Sequence, residues 1–75
     1  MSRFPAELTV TLTDGRKITE CFNQAQMATF MREAMLESLR KRETIVVFDG
    51  ERIEIEPERV VSVQVLVISE AHATV

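Results

Sequence analysis

Two segments of this chain carry the same hairpin pattern, and this repetition limits the possible fold more than any other feature. Residues 10–18 and 45–53 align at an offset of 35 residues, with apolar side chains at matching positions and Asp-Gly in both. Alternating apolar and polar residues indicate half-buried strands, and Asp-Gly between two of them indicates a tight turn. Two copies are too few for a solenoid, so the sequence predicts two separate β-hairpins.

The positions of the apolar residues also select a loop length. In the first hairpin, a three-residue loop at 13–15 pairs Val10 with Ile18, whereas a two-residue loop would divide the apolar residues between both faces. We therefore predict the three-residue loop, and the same argument predicts loop 48–50 in the second hairpin. The alternation of side chains places Glu20 on the same face as Ile18 and Phe22, which is the apolar face. Because its side chain is charged, we expect Glu20 near the edge of the sheet.

Residues 23–42, between the hairpins, have the periodicity of an amphipathic helix. Asn23 is the predicted N-cap, because its side chain can accept a hydrogen bond from the first turn. Leu36 and Ala25 widen the apolar stripe beyond the usual width. The predicted inward side chains are Met27, Phe30, Met31, Ala34, Met35, Ser38 and Leu39.

The last strand, residues 60–68, is apolar on both faces, which is typical of a strand covered on both sides. The sequence thus predicts one small α+β domain over residues 1–75, with order ββαβββ and a five-stranded, mainly antiparallel sheet. Residues 1–6 are expected to be a flexible arm and residues 69–75 a flexible tail. The helix should cover one side of the last strand together with Leu8, Val10, Leu12, Ile18, Ile45, Val47 and Ile53.

Length and composition limit the classes of function. A chain of 75 residues builds a small core, so oligomerisation would stabilise it. A single cysteine favours a reducing compartment, and we expect a cytoplasmic location. No segment approaches the roughly 20 apolar residues of a membrane span, so no membrane partner is expected. The net charge of −3 gives no general attraction for nucleic acid.

Candidate reactive residues are few. Cys21 is the conventional nucleophile and His72 the near-neutral base, but His72 lies in the expected tail, where nothing would hold it in place. Glu54, Glu56 and Glu58 alternate along the chain, which is typical of a solvated strand face rather than a metal site. Both glycines belong to the turns, so no phosphate-binding loop is predicted. We expect no enzyme activity and no catalytic, cofactor or metal site.

The strongest functional signal is apolar surface in excess of what one copy can cover. We predict a non-enzymatic module that self-associates through an apolar sheet face, as a dimer or a higher homo-oligomer. A small accessory protein of a bacterium or a phage is the expected setting, and a different protein is a second class of partner. The predicted interface consists of Leu36, Val46, Phe48, Val60, Leu66 and Ile68.

The alternative function is binding of RNA or DNA through the basic end of the helix, at Arg40, Lys41 and Arg42. The negative net charge and the absence of Trp and Tyr speak against it. Five strands, one helix and Asp-Gly turns resemble the Sm-like RNA-binding barrels. In that family the helix comes first, whereas here it follows the second strand, so the resemblance implies no role for individual residues.

Overall fold

The computed structural model describes residues 5–68 as an α+β domain with the predicted order ββαβββ. Residues 1–4 of the expected arm and the whole expected tail, 69–75, lie outside the described residues. Ala6, also expected in the arm, begins the first strand and is fully buried. The elements are β1 (Ala6–Leu12), β2 (Lys17–Phe22), α1 (Ala25–Arg40), β3 (Ile45–Phe48), β4 (Arg52–Ile55), a 3-10 helix (Pro57–Arg59) and β5 (Val60–Val67).

The five strands form two sheets instead of the single sheet expected. β1 is the centre of a three-stranded antiparallel sheet with the order β2-β1-β5, and β3 pairs only with β4 among the described strands. The two sheets meet where β3 lies beside β2. There the Glu20 carboxylate accepts a hydrogen bond from the Phe48 backbone N–H at 3.1 Å. Glu20 thus lies at a sheet edge, as predicted, and joins the two sheets.

The first hairpin has the predicted register, but the second does not. Val10 pairs with Ile18, and Gly15 has a φ of +92°, as the three-residue loop requires. In the second hairpin Phe48 pairs with Arg52, so the loop is 49–51 and the prediction of 48–50 was wrong. Moving the loop from 48–50 to 49–51 shifts the pairing of the two strands by two residues. Every side chain then stays on the same face, so the alternation of apolar residues could not decide between the two loops.

The observed second register is favoured by its cross-strand pairs. It places Ile45 opposite Ile55 and Val47 opposite Ile53, so two apolar pairs face each other directly. The predicted register would have placed Val47 opposite Glu51. Cross-strand packing therefore selects the loop that parity leaves open.

The core lies between the three-stranded sheet, the second hairpin and α1. All the residues predicted for the core face of the hairpins belong to it, with Ile53 partly buried. Val63 of β5 is buried, and Val65 packs against the same cluster. The buried cluster contains Leu8, Val10, Leu12, Ile18, Met35, Ile45, Val47, Ile55 and Val63.

The helix begins two residues later than predicted. At 100° per residue, the side of the helix that is covered lies roughly 70° around the axis from the side predicted to face inward. Gln24 is the N-cap and makes no side-chain capping hydrogen bond, so the predicted Asn23 cap was wrong. Ala28 is fully buried, whereas Phe30 is 72% exposed and Met27 is 54% exposed. Ala28 therefore lies on the covered side of the helix, and Met27 and Phe30 are turned outward.

A β-bulge near the start of β5 changes the face on which Val60 lies. Thr11 pairs with Ser62 but Leu12 pairs with Val60, so Val61 is an extra residue without a partner on β1. Val60 therefore packs against the core, and its predicted place on the opposite face was wrong. Val61 is 62% exposed.

Candidate interaction surface

The six residues predicted as an interface lie in separate places. Leu66 pairs with Glu7 on the far face of the three-stranded sheet, the face opposite α1. Ile68 is next to it, where its N–H donates to the Pro5 carbonyl. The strands β1 and β2 separate these two residues from the other sheet, which carries Val46 and Phe48. Leu36 is on the helix and Val60 is in the core, so the predicted single apolar face is not present.

The middle of the far face is polar. A shallow hollow there is lined by three threonines of β1 and β2 and by Lys17 and Gln64, and on the β5 side by Val65 and Leu66. The Thr9 and Thr19 hydroxyl oxygens are hydrogen bonded across the two strands at 3.1 Å. The apolar side chains of this sheet that reach solvent are consequently concentrated along β5 and not at the centre of the face.

Among the strands of residues 5–68, β5 forms one edge of its sheet, and its backbone polar groups alternate in direction. Ile68 donates its N–H to β1 through Pro5, so the even-numbered residues of β5 after the bulge bond to β1. The odd-numbered residues, from Val63 to Val67, point their N–H and C=O groups away from the sheet. One of these groups is engaged, because the Arg32 Nε–H donates to the Val63 carbonyl at 3.0 Å.

The side chains along this edge are apolar and exposed. Val61, Leu66 and Val67 are 62%, 61% and 55% exposed, and residues 60–68 contain no charged residue, proline or glycine. Leu36 is 38% exposed and lies one helical turn beyond Arg32, on the same side of α1. We call Arg32, Leu36, Val61, Leu66 and Val67 the edge surface.

A second apolar region lies on the other flank of the helix. A groove between α1 and β3 is lined by Met31, Ala34, Val46 and Phe48, among other residues. Phe48 is 54% exposed at its rim. Two of the residues predicted for an interface therefore lie in this helix–hairpin groove, away from the edge surface.

The basic end of the helix is partly neutralised by one carboxylate. Glu37 accepts a close hydrogen bond from the Arg40 guanidinium, and its other carboxylate oxygen is 3.9 Å from the Lys41 Nζ. The hydrogen bond from Arg40 and the positive charges of Arg40 and Lys41 lower the pKa of Glu37. Two of the three cations predicted for nucleic-acid contact are therefore paired with an acidic neighbour.

The helix ends at Arg40, two residues earlier than predicted, and Arg42 follows the C-cap residue Lys41 in a left-handed conformation. Its φ is +61°, and its N–H donates to the Leu39 carbonyl at 2.9 Å. The Glu43 N–H donates to the Ser38 carbonyl at 2.8 Å. These two bonds form a Schellman motif, in which glycine is the usual residue at the position of Arg42.

The first hairpin loop is attached to the segment that leads into β5. The Asp14 carboxylate accepts the Arg16 backbone N–H at 3.0 Å and lies 3.7 Å from the Arg59 guanidinium. The hydrogen bond from Arg16 and the charges of Arg16 and Arg59 lower the pKa of Asp14. The Thr13 N–H also donates to the Arg59 carbonyl at 2.9 Å, so two contacts fix the start of β5.

The candidate reactive groups are not brought together within the described part of the chain. Cys21 is an exposed free thiol, and His72 lies outside the described residues. Glu54 forms an ion pair with Arg52. Over residues 5–68 no three side chains of His, Cys, Asp or Glu are grouped so that they could hold a metal ion. In the same range no helix is both long enough and apolar enough to cross a membrane.

Comparison of the chain with protein-family models, with curated proteins and with solved structures found no match. The candidate surface is thus interpreted from its own geometry. Sequence reasoning placed Val61 and Val67 on the covered face and gave Arg32 no role. The uncharged composition of residues 60–68 was the available signal for Val61 and Val67, but it does not show which strand lies at an edge.

Proposed function

We propose that this protein is a non-enzymatic interaction module that binds copies of itself through exposed apolar surface. The observation that carries the proposal is the edge surface, where the uncharged strand β5 exposes Val61, Leu66 and Val67 by more than half. Long, uncharged edge strands with open backbone groups pair readily with other chains, and the exposed apolar side chains along this edge favour such pairing.

The two carboxyl groups with shifted pKa values are not suited to catalysis at neutral pH. The backbone N–H of Arg16 and the nearby arginines lower the pKa of Asp14, and the hydrogen bond from Arg40 and the nearby cations lower the pKa of Glu37. A general acid or base works best with a pKa near the operating pH, so both shifts are in the wrong direction for acid–base catalysis at neutral pH. We further propose a cytoplasmic location, because a single free thiol, that of Cys21, suits a reducing compartment.

Self-association is favoured over nucleic-acid binding by the pairing at the end of α1. Binding to phosphates depends on cations that release counterions, and it weakens steeply with salt. Arg40 and Lys41 already share the Glu37 carboxylate, so this end of the helix offers less positive charge than its sequence suggests. In the described part of the chain, by contrast, the apolar side chains of the edge surface on β5 remain more than half exposed.

Gel filtration with light scattering over a range of concentrations tests the proposal. At micromolar concentrations we expect a mass of twice that of the 8.6 kDa chain, falling toward one chain on dilution. The double variant Arg40→Glu/Arg42→Glu serves as a control, since it reverses charge at the basic end and leaves the edge surface unchanged. It should retain the wild-type mass. A single-chain mass at every concentration would contradict the proposal.

A further inference from the structure

We propose that β5 pairs in antiparallel orientation with β5 of a second copy, around a two-fold axis at Gln64. The pairing would join two three-stranded sheets into one sheet of six strands, with both α1 helices on the same face. This inference rests on the proposed self-association and names the surface and the geometry through which it occurs.

The backbone directions in β5 fit this register. After the bulge, the odd-numbered residues point their N–H and C=O groups outward, and Arg32 shows the direction by binding the Val63 carbonyl. A two-fold axis at Gln64 places Val63 opposite Val65 of the second copy, so outward groups meet outward groups. By symmetry every such pair occurs twice, as in an isologous interface.

The same register covers the exposed side chains. It places Ser62 opposite Leu66 of the second copy and brings Val67 of that copy beside the bulge at Val61, so each of the three exposed apolar residues of β5 gains a neighbour. Leu36 lies one helical turn from Arg32, whose guanidinium reaches β5, so in this register we place the two copies of Leu36 on the side of the helices that faces the new strand pair. A single contact thus buries most of the edge surface.

Charge identifies the second copy as the occupant. A partner strand must place its side chains beside the apolar ones of β5, and an unpaired charge there would lose hydration. Of the strands in this chain with six or more residues, β1 contains Glu7 and β2 contains Lys17 and Glu20, whereas β5 is uncharged. β5 is therefore the long strand of this protein that matches β5.

Arg32 competes with the partner strand for one backbone carbonyl. In the single chain its guanidinium occupies the Val63 carbonyl, which the register at Gln64 assigns to Val65 of the second copy. In this register the N–H of Val65 from the second copy takes the place of Arg32 in both copies. Arg32 therefore weakens the pairing that we propose.

Cysteine cross-linking tests the register. Even-numbered residues form the non-hydrogen-bonded pairs across the two-fold axis, where Cα atoms lie about 4.5 Å apart, within the range of a disulfide. Gln64 is exposed, and the proposed register places it opposite Gln64 of the second copy. Gln64→Cys in a Cys21→Ser background should therefore form a covalent dimer on oxidation. Ser62→Cys and Leu66→Cys, made separately in the same background, should not link to themselves, because each lies four residues from its own copy, roughly 13 Å.

A mixture of the Ser62→Cys and Leu66→Cys proteins supplies the matched positive control. The register places these positions opposite each other, so the mixture should form the mixed disulfide. Equal linking at all three single positions would indicate random collision and overturn the strand pairing. If light scattering shows a dimer and Gln64→Cys does not link, the pairing is wrong and the proposed function stands. If light scattering shows a single chain, both are wrong.

Discussion

The Nε–H of Arg32 donates a hydrogen bond to the backbone carbonyl of Val63 at 3.0 Å, from the helix to the open edge of β5. Lysine, proline and bulges are common ways to protect an edge strand from pairing with other chains. Here the bulge at Val61 protects only the start of the strand, and residues 60–68 contain neither of the protective residue types. Along the rest of this edge, the bond from Arg32 occupies one of the outward backbone groups between Val63 and Val67.

Removal of this guanidinium should strengthen self-association. Arg32→Ala leaves the Val63 carbonyl without its partner in the single chain, so dimerisation no longer has to release two hydrogen bonds. At about 0.7 kcal/mol for each partly exposed bond, the dissociation constant should fall about tenfold. Sedimentation equilibrium measures it. Arg40→Ala removes an exposed arginine from the same helix and should leave the constant unchanged. Weaker association of Arg32→Ala would contradict the role given to Arg32.

The bond from Phe48 to Glu20 should hold the second hairpin against β2. Glu20→Ala removes the acceptor of the Phe48 N–H, and the free energy of unfolding should fall by about 1 kcal/mol. Glu20→Gln keeps a carbonyl oxygen at nearly the same place, so it should retain most of the stability. Urea denaturation of both variants measures the difference. Equal losses in the two variants would show that the hydrogen bond is not what joins the sheets.

The left-handed conformation of Arg42 should cost stability. A residue with a side chain at a φ of +61° is less stable than glycine by about 1 kcal/mol, so Arg42→Gly should raise the free energy of unfolding by that amount. Arg42→Ala is the control, because it removes the same charge without relieving the strain. Thermal unfolding should show a higher Tm for Arg42→Gly than for Arg42→Ala. Similar values for the two variants would rule out the strain.

The lowered pKa of Asp14 predicts a loss of stability in acid. A carboxyl group with a lower pKa in the folded state stabilises the fold above its unfolded-state pKa of about 4. That contribution disappears as the pH falls through the lowered folded-state pKa. Asp14→Asn keeps an acceptor for the Arg16 N–H but cannot titrate, so its stability should decline less from pH 4 downward. Asp49→Asn in the second loop is the control, and urea midpoints at several pH values provide the comparison.

The parts of the fold that follow from periodicity could be predicted from the sequence. The order of elements, the faces of both hairpins and the pairing of Val10 with Ile18 depend only on alternation and on the Asp-Gly turns. The position of the second loop could not be predicted, because the alternation of side chains allows two registers. The packing of Val47 against Ile53 selects one of them. The rotation of the helix places Ala28 on the covered side, which periodicity does not reveal.

The proposed interaction surface follows from the sequence only in part. Leu36 and Leu66 were predicted to lie at an interface because of their excess apolar character, and the edge surface proposed above includes both. Val60 was placed on the wrong face because a bulge interrupts the regular alternation of side chains in β5. The sequence contains no clear signature of this bulge. The role of Arg32 depends on the distance between α1 and the β5 edge, which becomes visible only when both are packed on the same core.

Amide hydrogen exchange along β5, followed by NMR at several protein concentrations, tests the strand pairing most directly. The N–H groups of Gln64 and Leu66 bond to β1, so they should be protected at every concentration. Those of Val65 and Val67 point outward, so they should exchange quickly in dilute protein and become protected as the dimer forms. Fast exchange of Val65 and Val67 in a sample that light scattering shows to be dimeric would contradict the account.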